Sequence, residues 1–371
     1  MDASYRVSDP SEIYSPALLF YKDRIAGNLR RAVQIAGRPD RLRPHAKTHK
    51  TREITRMEMA LGITKHKCAT LAEAEMLADC GVNDILIAYP IVGPNCTRLA
   101  KLIRAFPTVR FAVLADHPSG IAELSAALAP DKETADVLLD INVGQNRTGV
   151  EPGEKAVSLY ETLARTPGLR AGGLHVYDGH NHQPALAERQ QAVRQLDGPI
   201  GQLREALLKK GLPLPRIVFG GTPTFALHAR TELPEAEFSP GTCVLNDANY
   251  GAWFPDLDFA PAALLLTRVV SRPTPNRITL DLGYKAVSAD PPAGSRCVLW
   301  DVPDAKAVIH NEEHLVVETP AAERFKPGDV IYAQPAHICP TCALHRFAYV
   351  IEGGKLVDRW EIVARDRVLR F

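Results

Sequence analysis

The chain has 371 residues, of which 46% are hydrophobic and 23% charged, and its net charge is +1. This balance excludes a protein that binds nucleic acid through bulk positive charge, and no apolar run reaches the roughly 18 residues of a membrane span. The first residues lack the basic and apolar segments of a secretory signal. Seven cysteines, mostly scattered singly, favour reduced thiols in a cytoplasmic protein over a disulfide framework.

The first part of the chain alternates short apolar strands with amphipathic helices. Residues 23–36, for example, place Ile25, Leu29 and Val33 at helical spacing. Strands that are apolar throughout are typical of a parallel sheet covered by helices. Roughly eight strand–helix units predict a TIM-like α/β barrel. The predicted strands are 17–21, 63–69, 84–88, 109–115, 135–143, 169–176 and 216–219.

The pattern changes near residue 240. Short predicted strands are then separated by turn signals such as Pro-Pro-Ala-Gly at 291–294 and Lys-Pro-Gly-Asp at 326–329. This spacing predicts an antiparallel β domain. We therefore assign residues 15–240 to the barrel and residues 241–371, together with 1–14, to the β domain.

Residues 41–50, Arg-Leu-Arg-Pro-His-Ala-Lys-Thr-His-Lys, form a local basic cluster. If this segment is a strand, its alternation puts His45, Lys47 and His49 on one face. The surrounding cations would then repel a proton on Lys47. A partly neutral lysine amine is what Schiff-base chemistry with an aldehyde needs. A basic surface patch is the alternative interpretation.

Polar segments follow several of the predicted barrel strands, at the end where barrel enzymes place their active sites. Lys47 and His49 lie at the end of the 41–50 segment, taken as the second strand, and the segment 142–149, which contains Arg147, follows a later strand. Residues 175–182 hold three histidines and a tyrosine, a density that a solvated loop does not need. Arg147 could hold a phenolate or carboxylate, or it could be a surface arginine.

Two glycine–threonine turns occur on the same predicted face, at Gly220-Gly221-Thr222 and at Gly241-Thr242. Glycine allows close backbone approach, and successive N–H groups with a threonine hydroxyl suit a phosphate. Each of these segments could also be an ordinary turn.

A further cluster lies in the predicted β domain, where His337-Ile-Cys339 precedes Cys342 and His345. In an extended segment, His337 and Cys339 would point the same way and could share a divalent metal. Cys339 and Cys342 could form half of a zinc knuckle, but the sequence has no second Cys-x-x-Cys to complete it. Ordinary buried cysteines and histidines are the remaining interpretation.

Together these motifs resemble the D-threonine aldolase / D-serine dehydratase family, which are fold type III pyridoxal-phosphate enzymes related to the alanine racemase barrel. They occur in the family's order and extend over nearly the whole chain. The resemblance implies a barrel of the alanine racemase N-terminal type followed by the β domain. It also implies a homodimer with shared active sites. The carrying motifs are 43–50, 68–75, 140–149, 177–180, 220–224, 240–242, 281–285, 312–314 and 337–341.

The resemblance also implies roles for individual residues. Lys47 would bond covalently to pyridoxal phosphate, Arg147 would face its phenolic oxygen, and Tyr177 would line its ring. His337 and Cys339 would bind a divalent metal (Mn, Mg or Zn) beside the substrate hydroxyl. The residues that would hold the phosphate are Gly221, Thr222, Gly241 and Thr242.

One position departs from the family pattern. Cys243 stands where many relatives have tyrosine after the Gly-Thr turn. The partner of the pyridine nitrogen would then be Tyr250 or a water molecule.

The implied reaction is lyase chemistry on a D-3-hydroxy amino acid. If His49, His180 or a metal-bound hydroxide takes the hydroxyl proton, the Cα–Cβ bond breaks to give glycine and an aldehyde, which is the D-threonine aldolase reaction that we expect. If Lys47 takes the Cα proton, water is lost and a 2-keto acid and ammonia form, as in a D-serine or 3-hydroxyaspartate dehydratase. A non-catalytic pyridoxal-phosphate carrier is a remote alternative, since it would need neither the β domain nor the His337–Cys339 pair.

Overall fold

The computed structural model describes residues 2–370, which form two compact units. The β unit contains the chain up to Arg31, residues 48–54 and Thr242–Arg365. The barrel unit contains Ala32–Lys47, Thr55–Gly241 and the chain from Asp366 onward.

This division differs from the sequence-based one at residues 15–31 and 48–54, which belong to the β unit rather than the barrel, and from Asp366 onward, where the chain belongs to the barrel unit rather than the β domain. The sequence pattern places residues 15–31 in the barrel, whereas the structure groups them with the β unit. The physical reason is strand pairing, because β1 (Ala17–Tyr21) lies between two strands of the β unit, antiparallel to one and parallel to the other. The boundary between the units falls inside the helix that follows, α1 (Lys22–Ala36).

The barrel unit contains a parallel sheet whose described strands pair in chain order. Residues 42–45 join its two outer strands, since Leu42 bridges Phe238 and His45 bridges Lys67. The Arg43 N–H donates to the Phe238 carbonyl oxygen at 2.8 Å. The predicted α/β barrel is therefore confirmed. Its strands are β2 (Lys65–Cys68), β3 (Asp84–Pro90), β4 (Arg110–Ala115), β5 (Ala135–Asp140), β6 (Leu169–Val176), β7 (Ile217–Phe219) and β8 (Ala236–Phe238).

The register of these strands determines which side chains meet. Paired residues of neighbouring parallel strands lie on the same face of a sheet. Lys67 pairs with Leu86, and His175 pairs with both Asp140 and Val218. Leu86 and Val218 belong to one buried apolar cluster. The register thus sets Lys67, Asp140 and His175 beside this cluster.

Helices connect the barrel strands, and the helix α3 (Leu71–Asp79) begins with hydrogen bonds to the Thr70 and Glu73 side chains. The Glu73 N–H donates to Thr70 Oγ1 at 3.1 Å, and the Glu73 carboxylate accepts the Ala69 N–H at 2.6 Å. Across residues 2–370, no helix combines the length and apolar character needed to cross a membrane. The helices are α2 (Arg52–Ala60), α3 (Leu71–Asp79), α4 (Pro94–Ala105), α5 (Pro118–Leu128), α6 (Glu154–Arg165), α7 (Leu186–Lys209) and α8 (Phe225–His228).

The β unit is built on a second sheet, which is antiparallel except for the pairing of β1 with β15. The predicted antiparallel β domain is therefore confirmed as a fold type. Two helices belong to this unit, α9 (Ala248–Trp253) and α10 (Ile338–Leu344). Its remaining strands are β9 (Ala263–Thr274), β10 (Arg277–Leu280), β11 (Cys297–Leu299), β12 (Lys306–His310), β13 (Leu315–Glu318), β14 (Val330–Pro335), β15 (Phe347–Glu352) and β16 (Lys355–Glu361).

Candidate active site

A cavity of about 430 Å³ lies at the C-terminal ends of the barrel strands. Its walls include Lys47, Arg147 and Tyr177, the residues expected to contact the body of the cofactor. The Arg147 guanidinium lies 5.2 Å from the centroid of the Tyr177 ring. The structure therefore groups these three side chains around one space in the barrel unit.

The segment that carries Lys47 is not a continuous strand. Pairing with β2 ends at Ala46, whose N–H donates to the Lys67 carbonyl oxygen at 2.8 Å, and residues 46–49 form a turn. The prediction that His45, Lys47 and His49 share one strand face is therefore wrong. The reason is that β2 ends at Cys68 and provides no further backbone partner.

Lys67, which the sequence analysis did not select, lines the same cavity. Its Nζ lies 3.2 Å from Nε2 of His175, and Nδ1 of His175 lies 2.7 Å from Oδ1 of Asp140. Thr148 donates from its hydroxyl to the other oxygen of Asp140 at 2.7 Å. Lys67, His175 and Asp140 are all buried. The barrel therefore holds a continuous chain from a carboxylate through an imidazole to an amine.

Burial and neighbouring charges both shift the pKa values of Lys67, His175 and Asp140. Burial, Lys47 and nearby arginines lower the pKa of Lys67 to about 7. Burial and the charge of Lys67 also lower the pKa of His175, although Asp140 opposes this. For Asp140, burial acts to raise the pKa, but the hydrogen bond and charge of His175 outweigh it and lower the pKa below its ordinary value. The arrangement favours a carboxylate, a neutral imidazole and a partly neutral amine at neutral pH.

One signal in the sequence could have identified Lys67. The β2 strand reads Lys-His-Lys-Cys, and three basic residues out of four are unusual in a strand of a buried parallel sheet. Because the active site of a barrel lies at the C-terminal ends of its strands, a charged residue near such an end is a candidate site residue, as Lys47 is.

The first glycine–threonine turn adjoins this cavity through Tyr177. A Cβ added to Gly221 would lie 3.0 Å from Cε2 of the Tyr177 ring. Gly220 has a φ of +67°, and a Cβ there would lie 3.0 Å from Thr224 Oγ1. The Gly241 N–H donates to Thr222 Oγ1 at 3.1 Å. Since a Cβ at Gly220 or Gly221 would press on a neighbouring side chain, the turn fits a close backbone cradle for a phosphate.

A buried network holds this turn in place. Asp178, which is fully buried, accepts a hydrogen bond from Thr224 Oγ1 at 2.8 Å and lies 2.9 Å from Nε2 of His228. The His228 ring stacks on Phe219, with centroids 5.0 Å apart. The turn is thus tied to β7 and to the loop after β6.

The two candidate bases, His49 and His180, have different environments. His49 lies in the β unit, where its Nδ1 accepts the Thr51 N–H at 3.1 Å. His180 lies in the barrel unit above Gly144, and its buried Nδ1 has no hydrogen-bond partner among the described residues. A buried unpaired nitrogen is costly unless something else binds it. His180 is therefore the better candidate for contact with a bound molecule.

The predicted metal ligands lie in the β unit, but not in an extended segment. His337 is the N-cap of α10 and Cys339 lies in its first turn, so the extended prediction is wrong. The helix forms because Pro340 is tolerated in a first turn, where its missing N–H is not needed. Asp247 also accepts the Ile338 N–H at 3.1 Å.

His337 and Cys339 remain in contact in this conformation. The His337 ring donates a hydrogen bond to the Cys339 sulfur, and Nδ1 of His337 lies 2.6 Å from Oδ2 of Asp290. Burial would lower the pKa of His337, but Cys339 and Asp290 raise it to about 9. Within residues 2–370, no group of three or more His, Cys, Asp or Glu side chains is arranged to hold a metal. This pair therefore fits a metal only if water or another small molecule completes its coordination.

The Cys339 thiol also contacts two hydroxyl groups of the β unit. Thr48 Oγ1 lies 3.2 Å from Cys339 Sγ, and Thr242 Oγ1 lies 3.6 Å from it. Thr242, the last of the predicted phosphate ligands, is thus buried beside this thiol.

Family models match both parts of the chain. The model of the alanine racemase N-terminal domain matches residues 21–247, which is more than half of the chain, and a serine dehydratase domain model matches residues 262–351. Together with the barrel and its lysine-lined cavity, these matches define the class: a barrel enzyme of the alanine racemase type.

Whole-chain relatives narrow this class. A D-threonine aldolase of Arthrobacter sp. is 32% identical, over 96% of this chain and 94% of that protein. A D-threo-3-hydroxyaspartate dehydratase of Delftia sp. is 27% identical, over 94% of this chain and 96% of that protein. The crystal structure of D-threonine aldolase from Filomicrobium marinum superposes with a TM-score of 0.87 at 32% identity, covering 95% of this chain and 96% of that one. The chain belongs to the D-threonine aldolase / D-serine dehydratase family of fold type III pyridoxal-phosphate enzymes, and it is therefore a lyase.

Proposed function

We propose that this protein is a pyridoxal-phosphate- and divalent-metal-dependent lyase that cleaves a D-3-hydroxy amino acid to glycine and an aldehyde, as a D-threonine aldolase does. The observation that carries the proposal is the grouping of Lys47, Arg147 and Tyr177 around one cavity of a chain in this family. The aldolase activity is favoured by the 32% identity to a protein of that name.

The residues of the barrel unit fit the cofactor. Lys47 supplies the amine that bonds to its aldehyde, and Arg147 supplies a cation for its phenolic oxygen. The turn at Gly221 and Thr222, with Gly241, would hold the phosphate through N–H groups and a hydroxyl, while Thr242, the other expected phosphate ligand, belongs to the β unit. Bound pyridoxal phosphate supplies an electron sink for bond cleavage at the substrate Cα.

His180 is the proposed general base that removes the proton from the substrate hydroxyl. In His49, Nδ1 accepts the Thr51 N–H, so the neutral ring carries its proton on Nε2 and that nitrogen is a donor. Nδ1 of His180 is buried without a partner among the described residues. A neutral imidazole with a free ring nitrogen is suited to act as a general base.

The metal site is proposed at His337 and Cys339. An imidazole nitrogen and a thiolate are both ligands that zinc accepts, and the two side chains are in contact. Binding a metal here must displace a proton from His337, because only the neutral ring can bind. Because the proposed reaction depends on this metal, chelation should remove activity, and Mn²⁺, Mg²⁺ or Zn²⁺ should restore it.

Dehydration is the second candidate reaction. It is favoured by the 27% identity over 94% of the chain to a D-threo-3-hydroxyaspartate dehydratase and by the cysteine in the His337–Cys339 pair. In this reaction Lys47 removes the Cα proton and the products are a 2-keto acid and ammonia.

A product assay tests the proposal. Purified holoenzyme is incubated with D-threonine, and in parallel with D-3-hydroxyaspartate, while glycine, aldehyde, 2-keto acid and ammonia are quantified. Glycine and acetaldehyde in equal amounts from D-threonine are expected. Formation of 2-oxobutanoate and ammonia would establish dehydration instead, and no turnover of either substrate would contradict lyase function on this class.

We further propose that the protein acts as a homodimer in the cytoplasm. The seven cysteines, all within the described residues, are free thiols, which suits a reducing compartment. Light scattering of the purified protein tests the assembly, since a mass near 81 kDa is expected from a chain of 40.6 kDa, and a mass near that of one chain would contradict it.

A further inference from the structure

Two lysines lie on neighbouring segments at the mouth of the barrel. The Lys67 N–H donates to the Pro44 carbonyl oxygen at 2.8 Å, and its own carbonyl oxygen accepts the Ala46 N–H at 2.8 Å. His45 bridges Lys67 in the parallel sense. Lys47, which follows directly, lines the same cavity as Lys67. The fold therefore presents two primary amines to one space.

The side-chain partners of Lys67 are a histidine ring and a tyrosine ring rather than a carboxylate. Its hydrogen-bond partner is Nε2 of His175, at 3.2 Å, and the Tyr177 ring centroid lies 5.4 Å away. Nδ1 of His175 faces the Asp140 carboxylate at 2.7 Å, which leaves Nε2 as the acceptor for a Lys67 N–H. Within residues 2–370, no carboxylate lies at ion-pair distance from Lys67.

Charged side chains on several neighbouring segments face Lys67. The cations that face it are Lys47, Arg43 and Arg147, and the carboxylate that opposes them is Asp140. Its other titratable neighbours are His175, Tyr177 and His45. Burial and the three cations lower the pKa of Lys67 to about 7. Lys67 thus has both protonation states available at neutral pH.

We propose that Lys67 takes the proton that Lys47 must lose before its amine attacks an aldehyde. An ammonium nitrogen has no free electron pair, so Lys47 can attack only as the free amine. In this step one proton moves from the Lys47 ammonium to the Lys67 amine, and no other reactant is needed. His175 and Asp140 position Lys67 for the transfer. The inference rests on the proposed function, because the aldehyde is that of pyridoxal phosphate.

Cofactor capture tests this role without lyase turnover. Apoenzyme is mixed with pyridoxal phosphate between pH 5.5 and 10, and the rate of covalent capture is followed by absorbance. In the wild type the rate should rise with pH and reach half its maximum near pH 7. In Lys67→Met the rate at pH 7 should fall at least about tenfold, and the midpoint should move up by at least about one pH unit.

Lys65→Met is the matched control. Lys65 lies in the same strand and bonds to Glu237 at 2.8 Å, and it does not line the cavity. This variant should keep the wild-type rate and midpoint of capture. A Lys67→Met enzyme with wild-type rate and midpoint would overturn the inference while leaving cofactor binding intact. A wild-type protein that captures no pyridoxal phosphate would instead contradict the proposed function.

A second measurement uses the wild-type apoenzyme alone, so it does not depend on the folding of a variant. Protein labelled with ¹³C at lysine Cε is titrated by NMR, and ordinary lysines change near pH 10.4. One lysine signal with a midpoint near pH 7 supports the inference, and the Lys67→Met spectrum assigns it. If every lysine signal titrates above pH 9, the inference is wrong.

Discussion

Arg43 and Lys67 are both buried cations in the barrel unit, but their partners differ. The Arg43 guanidinium is fully buried and contacts Glu237 at 2.6 Å and Asp84 at 2.8 Å. Lys67 is 2% exposed and bonds to a histidine ring. Removing a buried cation from its carboxylate partners leaves their charge uncompensated and destabilises the fold, whereas a cation surrounded by other cations is held in an unfavourable charge state that chemistry can use.

The pKa shifts in the two regions follow this difference. Burial opposes the charge of Arg43, but Glu237 and Asp84 raise its pKa above the ordinary value. For these two carboxyl groups, burial acts to raise the pKa and Arg43 lowers it below the usual range. For Lys67, burial and neighbouring cations act in the same direction. Removing Arg43 should therefore lower stability, whereas removing Lys67 should raise it and also change the chemistry of the cavity.

The largest expected effect is on the chemistry of the cavity. Lys47→Ala should lower lyase activity at least about 10³-fold, because the covalent amine is lost. The free energy of unfolding should change by less than about 0.5 kcal/mol. Product formation and urea unfolding measure the two quantities, with Lys101→Ala, an exposed lysine, as control. Retained activity would show that a different amine bonds to the cofactor.

The next effect is on stability in the Arg43 cluster. Arg43→Met removes the partner of Glu237 and Asp84 and leaves buried charge uncompensated, which should cost about 3–5 kcal/mol of unfolding free energy. Urea unfolding at pH 7 measures the loss. Arg38→Met, which removes an exposed arginine paired with Asp40, should cost little. If Arg43→Met unfolds at the wild-type urea concentration, the comparison between the two buried cations fails.

Lys67→Met should change the free energy of unfolding in the opposite direction and make the protein more stable. The pKa of Lys67 is lowered to about 7 in the folded protein from about 10.4 in an unfolded chain. Proton binding therefore favours the unfolded state most at and below pH 7, and this penalty disappears as the pH rises to about 10. The variant should be more stable than the wild type by about 1–3 kcal/mol at pH 7, and the difference should shrink toward pH 10. Urea unfolding at pH 7, 8.5 and 10 measures this, and a variant less stable than the wild type at pH 7 would contradict the description of Lys67.

The smallest effect is expected for Asp140→Asn. The pKa of Asp140 is lowered in the folded protein, so its carboxylate contributes stability above about pH 4, its value in unfolded chains, and this contribution is lost as the pH falls through the folded value. The variant should lose about 1 kcal/mol at pH 7, and its stability should approach that of the wild type in acid. Asp366→Asn, at an exposed position, is the control. A difference that persists unchanged below pH 4 would contradict this assignment.

The sequence predicts those features that local chemistry decides. Alternating apolar strands and helices predict the barrel, and the basic segment 41–50 predicts an amine at the barrel mouth. Each depends on residues close together in the chain.

Features decided by long-range pairing could not be predicted in this way. The strand β1 joins the β unit because it pairs with β9 and β15, which lie far along the chain. The contact of Lys67 with His175 requires the register across β2 to β6. The conformation of Cys339 depends on whether Pro340 lies in the first turn of a helix or interrupts a strand. The local sequence is compatible with both.

The proposed active site depends on Lys47 as the residue that binds pyridoxal phosphate covalently. The direct measurement is borohydride reduction of the purified holoenzyme, followed by peptide mapping of the reduced adduct by mass spectrometry. We expect the mass of one pyridoxyl phosphate group on the peptide that contains Lys47, with Lys67 unmodified. An adduct on Lys67, or no adduct on any lysine, would contradict the assignment of this active site.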